Sequence, residues 1–341
     1  MRKPLIAIGA LLVAVGLASV GAARALGAAL PHSRELAFVS QLSGDPEIYT
    51  ADLDRGLPPL PLTRDGSIHT SPTWSPDGKA LALVSNLEEP FYQLYTLNVD
   101  SITLRQLTNA PASHTNPAWS PDGKHLVFVS NRDGNVNLYS LDMDDQRIRQ
   151  LTNGADYHDQ PAWSPDGKQI AFYANHAGQQ AIYVMDADGS HVRRLTKPQL
   201  YAQMPAWSPD GRWIAFLSTQ TDTSGLYIVS VDSLQIRQLT NDVHNKSPLV
   251  WSPDGTRIAY TSYASVYTLD IFTVDLEGNV RQLTANAGHN RMPAWSPDGQ
   301  WIAFSSDRDN REDIYVMDRD GNHLQRVTWS YPPDYAPVWR P

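Results

Sequence analysis

The pentapeptide Trp-Ser-Pro-Asp-Gly occurs six times without a substitution, beginning at Trp74, Trp119, Trp163, Trp207, Trp251 and Trp295. The intervals are 45, 44, 44, 44 and 44 residues, and one further step of 44 lands on Trp339 in the closing Val338-Trp339-Arg340-Pro341. A period of this length means repeated supersecondary units that bury their faces only against one another. Two other features keep the beat. An apolar pentad follows each turn (residues 81–85, 126–130, 170–174, 214–218, 258–262 and 302–306) and also appears once at the start, at 36–40. A Leu/Val-Thr pair stands twelve residues before every repeat tryptophan, at Leu62, Leu107, Leu151, Leu195, Leu239, Leu283 and Val327.

Each unit reads as four short strands. Pro-x-Trp-Ser is the first, and Ser-Pro-Asp-Gly then turns the chain, with proline presetting φ and glycine closing the turn. The apolar pentad is the second. The third carries an aromatic pair member (Tyr49, Tyr95, Tyr139, Tyr183, Tyr227, Phe272, Tyr315), and the fourth ends in Arg-Gln-Leu-Thr or a variant. Four strands in about 44 residues is the signature of a β-propeller blade. The first unit lacks its Pro-x-Trp strand and the last residues supply one, so six intact units and one split unit predict a closed all-β, seven-bladed propeller over residues 35–341. Closure leaves no open sheet at either end of the array.

Residues 1–30 differ from the rest. A positive head, Arg2-Lys3, precedes residues 5–23, which hold no charged side chain. At 1.5 Å per residue a helix of that length spans about 28 Å, enough to cross a bilayer core. The stretch fits both an uncleaved membrane anchor and a signal peptide cut after small residues. Either places the remainder outside the cytoplasm, periplasmic or extracellular.

The absence of cysteine rules out disulfides, thiolate metal sites and thiol nucleophiles, leaving histidine and carboxylate as metal ligands. A net charge of −9 without any basic block excludes a phosphate-neutralising surface, so nucleic acid is not an expected partner. No nucleophile elbow, His-Glu-x-x-His helix or phosphate loop is present.

The unit Pro-x-Trp-Ser-Pro-Asp-Gly-Lys/Arg-x-Ile-Ala-Phe, followed by Ile-Tyr-x-Met-Asp-x-Asp-Gly and Arg-x-Leu-Thr, resembles the TolB-like (WD-like) β-propeller repeat family from Glu35 to Pro341. TolB itself has six blades behind an α/β domain, whereas seven blades are read here directly after the apolar segment. The resemblance implies a periplasmic binding propeller in the cell envelope. Similar propellers precede the hydrolase domain of prolyl oligopeptidase-like enzymes, and oligogalacturonate lyases are similar propellers that hold a metal with histidines near the channel.

In this repeat order the connection from each fourth strand to the next first strand crosses the upper face, so residues just before Pro-x-Trp are expected to line the channel mouth. Five residues before each tryptophan the series reads His69, His114, His158, Ala202, Lys246, Asn290 and Asp334. Imidazoles aligned on three consecutive blades form a candidate site for a divalent metal or an anionic ligand. Repeat duplication alone would also leave three hydrogen-bonded histidines there. Tyr157, Tyr201 and Tyr335 in the crossing loops, with Phe91, Tyr92, Tyr263 and Tyr267 in the second-to-third-strand loops, form a candidate aromatic rim for a peptide or glycan. Asp186-Ala187-Asp188-Gly189 and Asp318-Arg319-Asp320-Gly321 resemble fragments of calcium loops but read as hairpin turns. The sequence therefore points to an exported, monomeric, non-enzymatic scaffold that binds an envelope protein or glycan. The alternative is a metal-dependent polysaccharide lyase or hydrolase with its site at the upper channel mouth.

Overall fold

The computed structural model describes residues 34–87, 90–219, 224–241, 248–265, 268–285 and 288–341. The apolar segment 1–30, Lys246 and Tyr267 lie outside the described residues. Among them, 28 strands form seven four-stranded antiparallel sheets. Blade 1 is the split one: Glu35–Ser40, Glu47–Asp52 and Leu60–Pro61 are joined at the far edge by Asp334–Trp339. Leu36 pairs with Trp339 and Ser40 with Asp334. Blades 2 to 7 follow in chain order, each opening on a first strand: His69–Trp74, His114–Trp119, Tyr157–Trp163, Ala202–Trp207, Val250–Trp251 and Asn290–Trp295. First strands of neighbouring blades touch in an unbroken circuit, which makes them the wall of the central channel.

The repeat residues explain the ring. Each tryptophan donates its indole N–H to the carbonyl of the residue just before the repeat tryptophan one blade back. Trp119 bonds Thr73 (3.2 Å), Trp163 bonds Ala118 (3.1 Å) and Trp207 bonds Ala162 (3.0 Å). Trp251, Trp295 and Trp339 continue the relay to Ala206, Val250 and Ala294, and Trp74 closes it on Val338 at 3.2 Å. In the turns, serine Oγ donates to the aspartate, as Ser120 does to Asp122 at 2.6 Å, and accepts the N–H that opens the second strand. The turn glycine takes φ of +71° at Gly123 and lies beside the turn proline of the preceding blade, its Cβ position in ordinary contact at 3.6 Å from Pro76 Cδ. A side chain there would fit the space but would have to enter the left-handed region.

The buried apolar residues divide into seven clusters, each spanning one seam between adjacent blades. The cluster that joins blade 7 to blade 1 sets Ile314 and Val316 against Leu36, Phe38 and Trp339. Sheets that are buried on both faces read as continuous apolar runs, as the pentads do. Fourth strands are shorter than the sequence expectation, ending before Leu-Thr. The leucine (valine in blade 7) turns inward, and the threonine Oγ accepts a third-strand N–H in every blade, for example Ile48 to Thr63 at 2.9 Å and Ile314 to Thr328 at 2.9 Å. Both aspartate-rich segments are hairpin turns as expected, Gly189 N–H bonding Asp186 O and Gly321 N–H bonding Asp318 O.

Candidate functional site

The serine–proline turns and the third-to-fourth-strand hairpins lie at one end of every blade. The second-to-third-strand loops and the crossings to the next blade lie at the other, the upper face. Among the described residues, the series expected to line the channel mouth stands first in its strand, or second in blade 4, but its side chains point into the seams. His69, His114, Asn290 and Asp334 are each 0% exposed, His158 is buried at 8%, and Ala202 is also buried. Alternation along a strand is the reason: if one residue packs between blades, the next faces the channel. Thr70, Thr115, Asp159, Gln203 and Arg291 hold those half-buried positions, while Tyr335 at the same place packs against the core cluster between blades 1 and 2.

At the seams entering blades 1, 2, 4 and 7 the buried residue meets a residue at or near the start of the preceding blade's third strand, which also bonds the threonine after the fourth strand. His158 Nδ1 lies 3.0 Å from Asn137 Oδ1, which also accepts from Thr152. Asn290 donates to Asp270 at 2.8 Å, and Thr284 and Gln282 complete that carboxylate's bonds. Asp313 accepts from Arg326 and from Thr328, and Ser330 donates to Asp334 beside it. Burial raises the Asp334 carboxyl above the ordinary range. Where blades 4 and 5 meet, both positions are alanine, Ala181 and Ala202, and the seam is apolar.

The three histidines do not converge on one point. Among the described residues, the group of His, Asp and Glu whose ligand atoms all lie within 4.8 Å is Glu47, Asp65 and His69. His69 Nε2 stands 2.9 Å from Asp65 Oδ1 and 3.6 Å from Glu47 Oε2. His114 has no hydrogen-bond partner on either ring nitrogen and packs on Phe128, ring centres 5.2 Å apart. Burial, and then the nearby Arg132 charge, push its pKa down to about 4. Burial lowers that of His158 as well, against the opposing charge of Asp156.

The open channel mouth is built instead at blades 3 to 5. A β-bulge in the first strands forces the residue before proline into left-handed backbone at Ser71, Asn116, Gln160, Met204, Met292 and Ala336, with φ of 51° to 58°. Of these side chains, Ser71, Asn116 and Met292 are exposed, whereas Met204 and Ala336 pack against the clusters between blades 5 and 6 and blades 1 and 2. Asn116 donates to Asp159 Oδ1 at 2.7 Å, Tyr157 donates to Asp159 Oδ2 at 2.8 Å, and Gln160 Oε1 accepts the Met204 N–H at 2.7 Å, so three blades are tied by side chains. Burial, and then the Asp159 carboxylate that accepts its proton, push the Tyr157 hydroxyl up to about 12. Tyr157 and Tyr201 are both 43% exposed, as a rim position requires.

Of the aromatics expected from the sequence that are among the described residues, Tyr92, Tyr157, Tyr201 and Tyr263 are exposed, whereas Phe91 and Tyr335 are half-buried, Tyr335 against the core cluster between blades 1 and 2. Tyr92, Tyr157, Tyr201, Tyr263, Trp329 and Tyr331 are the strongly exposed aromatic residues among the described ones, and all six sit on the upper face. Exposed large residues on the lower side are aliphatic: Leu57, Val192, Leu234, Val280 and Leu324. Tyr331, 85% exposed, has no repeat counterpart and escaped a search built on periodicity.

Comparison with known proteins agrees with this architecture. The family described as TolB beta propeller domain matches residues 30–200, 153–263 and 242–341. The crystal structure of TolB from Acinetobacter baumannii superposes with a TM-score of 0.60 at 21% identity, covering 100% of this chain and 74% of that one. A structure of oligogalacturonate lyase in complex with manganese gives 0.64 at 17% identity, covering 88% and 86%. In sequence, an uncharacterized peptidase, YuxL of Bacillus subtilis (strain 168), is 31% identical over 86 residues, and that match spans 24% of this chain and 13% of the peptidase.

Proposed function

The chain belongs to the TolB beta propeller domain family, and on that premise we propose that it is an exported, non-enzymatic scaffold whose upper face binds a protein partner in the cell envelope. The observation that carries this reading is the one-sided placement of the six exposed aromatics. Tyrosine and tryptophan give large, stiff contact area with a polar tip, and they concentrate where proteins meet. The Asn116–Asp159–Tyr157 network holds one part of that surface in a fixed shape before any partner arrives, which lowers the entropy cost of binding. Residues 1–30 serve in this proposal as the export signal or as an anchor that keeps the ring at the membrane surface.

The test is capture from envelope extract with the detergent-solubilised full chain. Wild type and a lower-side control, Leu234→Ala, are expected to retain the same partner. The triple variant Tyr157→Ala, Tyr201→Ala, Trp329→Ala should lose it while keeping its melting temperature within a few degrees. Equal capture by the triple variant would move the surface elsewhere. Cleavage of oligogalacturonate or of a peptide by the wild-type chain would replace the scaffold by an enzyme.

A further inference from the structure

Buried carboxylates need compensation, and the seven seams differ in how they provide it. Asp313 has the Arg326 guanidinium, and Asp270 has three uncharged donors in Gln282, Thr284 and Asn290. The seam between blades 1 and 2 brings together two carboxylates, Glu47 at 0% exposure and Asp65 at 35%, and the ion pairs of both run only to His69 among the described residues. The position of Asp65, four residues before the seam residue, is Ala110, Gly154, Pro198, Asn286 and Ser330 in five repeats and an aspartate again at Asp242, where the third-strand position corresponding to Glu47 is Gly225. The pairing of two acids is thus particular to this seam, although neither acidic position is.

We propose that Glu47, Asp65 and His69 Nε2 form a binding site for a first-row divalent cation such as Mn²⁺ or Zn²⁺. This inference is independent of the partner reading above. Two carboxylate oxygens and one imidazole nitrogen suit these ions better than Ca²⁺ or Mg²⁺, which prefer oxygen alone. Ligand atoms about 2.0–2.2 Å from a shared ion stand about 3.0–3.5 Å from one another. His69 Nε2 is 2.9 Å from Asp65 Oδ1, 3.1 Å from Asp65 Oδ2 and 3.6 Å from Glu47 Oε2, so modest side-chain motion suffices. The outer support is present. Thr63 Oγ donates to Glu47 Oε2, the Gly66 N–H donates to Glu47 Oε1 at 3.1 Å, and the Ser67 N–H donates to Asp65 Oδ1 at 2.9 Å. These bonds hold the carboxylates while leaving lone pairs for a metal. The fully buried imidazole is aimed into the cluster through Nε2, and Asp65 opens it to solvent on the upper face. A dication with one imidazole as neutral ligand cancels both negative charges, which a histidine alone cannot do.

The experiment uses the full chain, treated with chelator and dialysed, then titrated with MnCl₂ and with ZnCl₂ by calorimetry, with Mn²⁺ electron paramagnetic resonance as an independent readout of the bound ion. One equivalent is expected to bind, with a rise in melting temperature at saturation. Asp65→Asn, in a half-exposed loop position, should weaken affinity at least tenfold and abolish that rise. Asp156→Asn, which disrupts the exposed His176–Asp156 pair on the same face, should leave binding unchanged. Absence of stoichiometric binding to wild type, or binding that survives Asp65→Asn, or loss of binding in Asp156→Asn, would overturn the proposal.

Discussion

On the lower rim, six Ser-Pro-Asp-Gly turns make the same serine-to-aspartate bond at 2.5 to 2.7 Å. Beside them seven indoles make the same relay bond at 2.9 to 3.2 Å. On the upper face the equivalent seam positions hold histidine, alanine, asparagine and aspartate, each satisfied differently or, at His114, not at all. The same backbone carries both ends of every blade, so geometry alone does not impose the contrast. Where one residue set is the only solution to a turn and a closing ring, the repeat keeps it; where the seam tolerates many solutions, the blades diverge and individual chemistry appears. Uniformity marks the frame here, and departure from the repeat marks the places to look for function.

The largest effect that would break this comparison is loss of the frame itself. Truncation after Thr328 removes the first strand of blade 1, the Val338 carbonyl that accepts from Trp74, the Trp339 indole bond and the Arg340–Glu35 ion pair at 2.7 Å. At about 1 kcal/mol for each hydrogen bond, plus the apolar surface of one seam, the loss rivals the whole stability of a domain. The truncated chain is expected to lose cooperative urea unfolding monitored by circular dichroism. An unchanged transition would mean that the ring does not depend on its closing strand.

Much of this frame was legible in the sequence because it is periodic: blade number, strand identity, split closure and hairpin turns follow from the 44-residue beat. The facing of the first strand was not. The left-handed residue before proline, at Asn116 for example, bulges the strand and breaks the alternation beyond Thr115. Residues before proline are ordinarily pushed toward extended backbone, so no local signal announced it. Glu47 and Asp65 were missed for the opposite reason. They come from a strand start and a loop, each acidic in other repeats but paired in this one alone, and a search by recurrence at single positions passes over a combination that occurs once.

A smaller effect separates the two ends by pH. Burial keeps the His114 imidazole neutral down to about 4, whereas in the unfolded chain it takes up a proton near the ordinary value of 6.5. Between these values the unfolded state binds more protons, so stability falls as pH drops through that window, by at most about 3 kcal/mol. The lower-rim aspartates act below it. In Asp122 the Ser120 hydroxyl, and then the Lys124 backbone N–H, hold the carboxyl below the usual range, so its contribution is present above about pH 4 and is lost as pH falls further. His114→Leu is expected to flatten the pH 6.5 to 4 part of the stability profile, apart from a remainder due to His158, and to leave the acid limb below pH 4 in place. Chemical denaturation at half-unit pH steps measures both limbs. A profile unchanged by His114→Leu would show that the upper seam does not hold its histidine neutral.

The smallest contrast compares aromatic residues across the two ends. Trp207→Phe removes the donor to Ala162 and part of a packed ring, for a cost of about 1 to 3 kcal/mol. Trp329 is 67% exposed, and its charged contact is with Arg326, whose guanidinium carbon lies 6.0 Å from the ring centre. Such an exposed contact is worth at most about 1 kcal/mol, and surface truncations usually fall within about 0.5 kcal/mol. Trp329→Ala should therefore leave the urea midpoint nearly where it was, while Trp207→Phe shifts it clearly downward. An exposed indole whose removal costs the fold nothing is free to be selected for what it touches. If Trp329→Ala instead destabilised the ring as much as Trp207→Phe, the upper aromatics would belong to the frame, and their placement on one face would no longer argue for a partner.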